Sequence, residues 1–273
     1  MPSPQIVGLM LVKNEDIYIE LAVRNCVKFC DLLIIADDGS EDQTPSIVLT
    51  LAKEFDNIQV KQLSHFSESQ ALIESYANTK TWIFAVDGDE IYDPNGLAVL
   101  REDLLSGKYD NCWRIMGNVL HCKELDLGKG VAKGYMAPPA LSMTKLYNFE
   151  KIQYWTNCPQ RLHRGKICYN SNNNLVLRLC DTLSWRDATF RCIHLVFMRR
   201  SSTQVTTSSW CLTRYNPSEI KRNTQLDWSL GVRHVIKQIF VYPLTRIPGF
   251  DYKNRRYRKG PSVELNVSSF FSS

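Results

Sequence analysis

Ile6-Val7-Gly8-Leu9-Met10-Leu11-Val12 is an unbroken apolar run, and it gives way at once to Lys13-Asn14-Glu15. A short continuous run of this kind predicts a strand buried on both faces. Behind it Ile17, Leu21, Ala22, Cys26 and Phe29 recur at helical spacing, which predicts a helix laid on the sheet. Residues 31–36 form a second apolar run. Thr44 to Phe55 then repeats the helix, with Thr44 as N-cap, Pro45 at the first helical position and Ile47, Val48, Leu51 and Phe55 on one face. Ile58 to Leu63 alternates as a strand, Glu68 to Tyr76 reads as a helix, and Trp82 to Val86 is a third buried strand. This alternation predicts an α/β fold with a largely parallel, Rossmann-like sheet.

The second half is less regular. Leu97 to Leu105 reads as a helix and Cys112 to Leu120 as a strand, whereas Lys123 to Pro139 dissolves into Gly, Lys and Pro and is expected to be a mobile active-site or acceptor loop. Leu141 to Tyr154 recovers strand character and residues 171–174 form a turn. Thr189 to Phe197 reads as a late strand carrying His194, and Ser218 to Tyr242 as a helix.

Chemistry collects where the apolar runs stop. Asp87-Gly88-Asp89-Glu90 follows the third run, and Asp37-Asp38-Gly39-Ser40-Glu41-Asp42-Gln43-Thr44 follows the second. Ligands of open α/β sheets gather at the carboxyl ends of strands. Bunched carboxylates raise one another's pKa and are tolerated best beside a hard cation such as Mg²⁺ or Mn²⁺. The competing reading makes these residues helix caps: Asp93-Pro94-Asn95-Gly96 starts a helix, and Asp37 or Asp38, or equally Ser40 or Asp42, would cap the helix that follows the second strand. No Gly-x-Gly-x-x-Gly opens the first helix, which argues against a dinucleotide dehydrogenase.

A first strand ending in Asn-Glu, a second ending in Asp-Asp-Gly-Ser-x-Asp-x-Thr and a later one ending in Asp-x-Asp resemble, in that order, the family 2 glycosyltransferases of the GT-A fold. The resemblance covers roughly the first hundred residues. It implies a mixed, mostly parallel sheet flanked by helices, with a GT-A catalytic domain over residues 1–200 and a C-terminal, acceptor-side helical and basic extension over 201–273. It further implies metal-dependent, inverting transfer of a sugar from a nucleotide donor, with a UDP-sugar expected, to a hydroxyl acceptor such as a glycan or lipid-linked saccharide, as in polysaccharide assembly. By the same resemblance Asp89, assisted by Asp87, holds Mn²⁺ or Mg²⁺, while Val12, Asn14, Glu15, Asp37 and Asp38 form the nucleotide slot. Glu90 either orients the loop, touches the donor sugar or is a solvent-facing carboxylate at the helix entry. His194 completes the metal shell, and Arg199 or Arg200 steadies the diphosphate; Arg199 is the expected contact.

The general base that takes the acceptor proton is not marked by the usual Glu-Asp signature. Glu124, Asp126, Asp181 and Asp187 are candidates, and Asp181 is favoured by its distance from the metal motif. His163 matches a His-Glu pair of one bacterial branch only in part, because Arg164 stands where Glu would be. Two other classes remain. A sugar-phosphate nucleotidyltransferase would need a Gly-rich basic loop where Lys13-Asn14-Glu15 stands, and a nucleotide-sugar-binding protein without turnover would keep the pocket and lack the base.

Composition adds little against this. A 44% hydrophobic share with mixed charge suits a soluble globular chain. The charge of +5 is uneven, with Lys253 to Lys259 forming a basic, tyrosine-containing stretch expected to be solvated or to touch a membrane surface rather than nucleic acid. No stretch is long and apolar enough to span a bilayer, and Met1 to Gln5 lacks signal-peptide character, so the cytoplasm is the expected compartment. The nine cysteines contain no Cys-x-x-Cys pair and are expected to be small buried apolar residues.

Overall fold

The computed structural model describes residues 5–141, 146–156, 162, 166–171, 175–203 and 256–271. The expected alternation is present: β1 (Gln5–Val12), α1 (Ile19–Val27), β2 (Leu32–Asp37), α2 (Thr44–Glu54), β3 (Ile58–Gln62), β4 (Thr81–Asp87), β5 (Glu90–Tyr92) and α3 (Pro94–Leu105). There follow β6 (Cys112–Met116), β7 (Asn118–Asp126), β8 (Val131–Ala137), β9 (Leu146–Asn148), β10 (Ile152–Thr156) and β11 (Lys166–Tyr169). The described residues end with β12 (Leu175–Arg178), the short α4 (Leu179–Thr182), β13 (Arg191–His194) and β14 (Ser262–Asn266).

A seven-stranded mixed sheet in the order β12-β6-β9-β4-β1-β2-β3 forms the centre, with β4, β1, β2 and β3 parallel and β9 antiparallel to both its neighbours. The chain leaves β1 toward β2 and β3, then returns to place β4 on the other side of β1. That reversal opens a crevice at the carboxyl ends of β1 and β4. Register aligns the ends: Val12 lies opposite Asp37, and Leu11 opposite Asp87. All three acidic motifs therefore emerge on one edge.

Burial of both faces explains the unbroken apolar runs, since every residue of β4 is buried. At Gly8 a Cβ would fall 2.7 Å from Cys30 Sγ and from Leu33 Cδ1, so the end of α1 and the start of β2 close directly over the β1 backbone. Phe84 is fully buried on the α1 and α3 side, edge-on to Phe29 at 5.2 Å and to Tyr92 at 4.8 Å.

A second sheet, β14-β8-β7-β13-β5, packs beyond β4. It corrects the sequence in one place: Lys123 to Pro139, expected as a loop, is mostly the hairpin β7–β8. The outer part of β7 alternates half-buried and exposed residues, and the facing part of β8 buries only the small Ala132 and Gly134, so no strong apolar signal announces the hairpin. Residues 66–76 are a 3₁₀ stretch instead of an α-helix. His65 Nδ1 accepts from Ser67 N–H and Ser69 Oγ donates to Phe66 O, local bonds that favour a tighter turn. The expected strand 112–120 is divided at Gly117, where a Cβ would collide with Phe190 O.

The far end of the chain is packed on this body. β14 pairs with β8, Phe270 is buried against Trp185, and the Asn25 amide donates to the carbonyls of both Tyr92 and Phe270 at 2.8 Å. Arg258 stacks over Phe197 at 4.8 Å, so this part of the basic stretch packs instead of standing free in water. The expected helix 218–242, His163 and Lys253 to Arg255 lie outside the described residues. No helix among the described residues is long and apolar enough to cross a membrane.

Replacing Phe84 with Ala removes the ring at the centre of this aromatic group. We expect a loss of about 3–5 kcal/mol in urea unfolding with little change in slope. A loss under about 1 kcal/mol would show that this layer repacks freely.

Candidate functional site

The loops after β1 and β2 are built as one unit. Asn14 takes a left-handed conformation at φ 53°, its N–H donates to Ser40 Oγ at 2.9 Å, and its side-chain oxygen accepts from Glu41 N–H at 2.8 Å. Glu15 N–H donates to Thr44 Oγ1 at 2.8 Å, which turns the Glu15 side chain into the crevice floor. Asp37 accepts from Ser40 N–H at 3.2 Å and from Ser40 Oγ at 2.5 Å, so this carboxylate shapes its own turn. Asp38 lies beside Lys13, whose Nζ donates to Asp38 O at 2.8 Å and stands 3.7 Å from Asp38 Oδ2.

The third motif turns on Gly88, where a Cβ would sit 2.0 Å from Glu15 Oε2. Only glycine lets the β1 and β4 motifs approach this closely. Glu90 Oε2 accepts from Asp87 N–H at 3.1 Å and from Tyr92 Oη at 3.3 Å, bonds that brace the loop. Asp89 is held by its backbone, since Leu195 N–H donates to Asp89 O at 2.9 Å, and its side chain meets both the Arg200 guanidinium and, at 3.5 Å, His194 Nε2.

Glu15, Asp87, Asp89, Glu90, His121, His194 and Arg200 are all at most 5% exposed. Within this cluster Arg200 is the cation: Nη1 pairs with Asp89 and lies 3.4 Å from Glu15 Oε1. Its strand of chain is stitched to the first two motifs, with Ile17 N–H donating to Arg200 O, Ser201 Oγ to Asp42 Oδ2 and Ser202 N–H to Asp16 Oδ1. Tyr257 covers the other side, 4.6 Å from the His121 ring and 5.5 Å from that of His194. Burial pushes its phenol up to about 12, with Asp89, Asp87 and Glu90 adding to the rise.

Glu15, Asp87, Asp89 and Glu90 outnumber the buried cations Arg200 and Lys13, and hard oxygen donors of this kind suit Mn²⁺ or Mg²⁺. The chemistry of the donors thus fits the expected cation. Their present arrangement has Arg200 on the Asp89 oxygen, and no group of three His, Cys, Asp or Glu side chains among the described residues converges as a ligand set.

Two expectations are corrected. Arg199 is exposed and donates to Ser201 O at 2.9 Å and to Ser202 O, so it props a turn while its neighbour Arg200 enters the site. Asp181 lies after β12, at the edge of the large sheet and three strands from β4, and Arg178 binds its carboxylate and lowers its pKa. A carboxylate held in that way is a weak base. Glu124 is exposed on β7, Asp126 closes the β7–β8 turn on Lys129, and Asp187 accepts from Ser184 Oγ, so none of these joins the cluster either. His121 escaped the sequence reading because Asn118-Val119-Leu120-His121-Cys122 looks like plain core. Its signal is the β13 register, which sets it opposite His194.

The model of glycosyl transferase family 2 matches residues 9–155, more than half of the chain and all three motifs, and the chain belongs to that family. Among solved structures it is similar to TarS of S. aureus, at 15% identity and a TM-score of 0.40, over 64% of this chain and 37% of that one. It is also similar to the mannosyltransferase PcManGT of Pyrobaculum calidifontis in complex with GDP-Man and Mn²⁺, at 16% identity and a TM-score of 0.32, over 45% and 37% of the two chains. A third is glucosyl-3-phosphoglycerate synthase of Mycobacterium tuberculosis with Mn²⁺, UDP and glucosyl-3-phosphoglycerate, at 18% identity and a TM-score of 0.31, over 43% of each chain. The matched part is thus well under half of each of these structures. No curated protein is similar enough to count as a match.

Removing one partner from a buried ion pair leaves the other charge desolvated. We expect Arg200→Gln to cost about 3–5 kcal/mol of stability, and Asp89→Asn in the same chain to restore much of it. Additive losses in urea unfolding would mean the two side chains do not interact.

Proposed function

We propose that this chain is a metal-dependent, inverting glycosyltransferase that moves a sugar from a nucleotide-diphosphate donor to a hydroxyl acceptor. The observation that supports this most is the convergence of the Asn14-Glu15, Asp37-Asp38 and Asp87-to-Glu90 motifs on one sheet edge in a family 2 chain. In this reading the nucleoside lies across the ends of β1 and β2. Val12 walls the slot, and the Asp38 carboxylate accepts from the base or ribose. Asp87, Asp89 and His194 hold Mn²⁺ or Mg²⁺, which when bound neutralises charge developing on the leaving diphosphate. Lys13, beside Asp38, and Arg200, beside Asp89 and Glu15, supply the protein's own positive charge.

The acceptor in this reading is a glycan or lipid-linked saccharide, approached from the β7–β8 side at the cytoplasmic membrane surface. A pure binder would share the pocket and lack turnover.

Thermal unfolding with UDP, GDP and their sugars, with and without Mn²⁺, tests the reading, because binding to the folded state raises stability by mass action. We expect a UDP-sugar with Mn²⁺ to raise Tm most and to be hydrolysed or transferred. We also expect Asp38→Ala to weaken the nucleotide by about 1–3 kcal/mol. If no nucleotide shifts Tm, the donor-site assignment fails; a Tm shift without turnover selects the binding protein.

A further inference from the structure

Asn148 closes β9 directly opposite Trp82 of β4, and residues opposite each other on neighbouring strands put their side chains on the same face. That face is the one α3 covers, since Trp82 shares one apolar layer with Leu100 and Leu104 of the helix. Asn148 is only 2% exposed. Its side-chain oxygen accepts from Glu150 N–H at 3.1 Å, which tells the two ends of the amide apart, and its Nδ2 has no acceptor among the described residues. A buried donor left unmade weakens a fold, and such a group calls for a partner.

Trp82 and Asn148 both line a cavity of about 190 Å³ at the amino end of β4, beside the last turn of α3. Lys80, Asp110 and Glu150 stand around it. The chain reaches Asp110 through a left-handed turn at Gly107, φ 83°, and Asp110 N–H donates back to Gly107 O at 3.1 Å, so the carboxylate lies against the helix end. The volume is below the roughly 300 Å³ at which pockets for drug-sized ligands begin, so the occupant is small. Its chemistry follows from the lining. The two carboxylates, which only accept, repel an anion; the Lys80 ammonium and the Asn148 N–H, which only donate, disfavour a cation. A neutral ring with several hydroxyls can donate to the first pair and accept from the second, while its C–H face rests on Trp82 and Leu105.

We propose that this cavity is a second carbohydrate site, which takes one sugar ring of a glycan. It is separate from the donor crevice, because Asp87 ends the same strand at the opposite edge of the sheet, roughly 20 Å away at about 3.3 Å per residue. A sugar held there is anchored to the protein without reacting, and the site does not depend on the donor-site reading.

Glucose, galactose, mannose and N-acetylglucosamine, titrated through the millimolar range into the full-length protein, test this. The readout is the indole N–H signal of Trp82 in ¹H–¹⁵N spectra, assigned with Trp82→Phe. We expect at least one sugar to shift that signal saturably, and to do so equally with UDP and Mn²⁺ present. Asn148→Asp keeps the oxygen that accepts from Glu150 N–H and removes the donor, so it should weaken the sugar about 5-fold or more. Asp110→Ala, at the exposed rim, should weaken it as well and carries the test should Asn148→Asp fail to fold. The proposal is overturned if no sugar moves the Trp82 signal, if inorganic phosphate moves it where sugars do not, if UDP displaces the sugar, or if the folded variants bind the sugar as the wild type does.

Discussion

The Arg200 guanidinium, shared between Asp89 and Glu15, is the interaction on which the rest of the site depends. The ends of β1 and β4 bring carboxylates from two motifs into one water-poor crevice, and their repulsion alone would spread the loops apart. Arg200 converts that repulsion into a tie. It also brings in the 200–202 stretch, whose backbone and hydroxyls bind Ile17, Asp42 and Asp16. The glycine at position 88 belongs to the same constraint, because any side chain there would displace Glu15 from the guanidinium.

The two sheets divide the work. The seven-stranded sheet carries Asn14, Glu15, Asp37, Asp38 and Asp87 on the ends of parallel strands, where apolar burial fixes direction and register. The five-stranded sheet carries His121 and His194. The turn from Asp87 to Glu90 is one of the connections between them, and Asp89 stands in it with its carbonyl bonded to Leu195 and its carboxylate between the two groups of residues. One residue thus couples the half that resembles a nucleotide fold to the half that supplies imidazole.

What could be read in advance follows from this division. Apolar runs closed by acidic turns made β1, β2 and β4 and their motifs legible, because strands buried on both faces need continuous hydrophobic residues. The hairpin β7–β8 was not legible, since its strands are stabilised by pairing at a partly solvated surface, and Gly and Lys there look like loop. Arg199 and Arg200 are adjacent and chemically identical; which one turns inward depends on the bend after β13, a tertiary fact. Asp181 looked suitable by its distance along the chain, but β12 pairs at the far edge of the sheet and carries it away. His121 had no mark in its own neighbourhood at all, because its meaning comes from a parallel partner more than seventy residues later.

The closing strand β14 has a consequence for how the molecule is made. Tyr257 packs on the histidines, β14 completes the sheet that carries them, and Phe270 O is anchored by Asn25 on the first helix. During vectorial synthesis the β1–β4 body can collapse early, as amino-terminal parts generally do. The imidazole pair gains its cover only after residue 257 has left the ribosome. A nascent chain would thus hold its acidic motifs before it holds its finished pocket, and a ribosome stalled late in translation would display a folded core without a closed site.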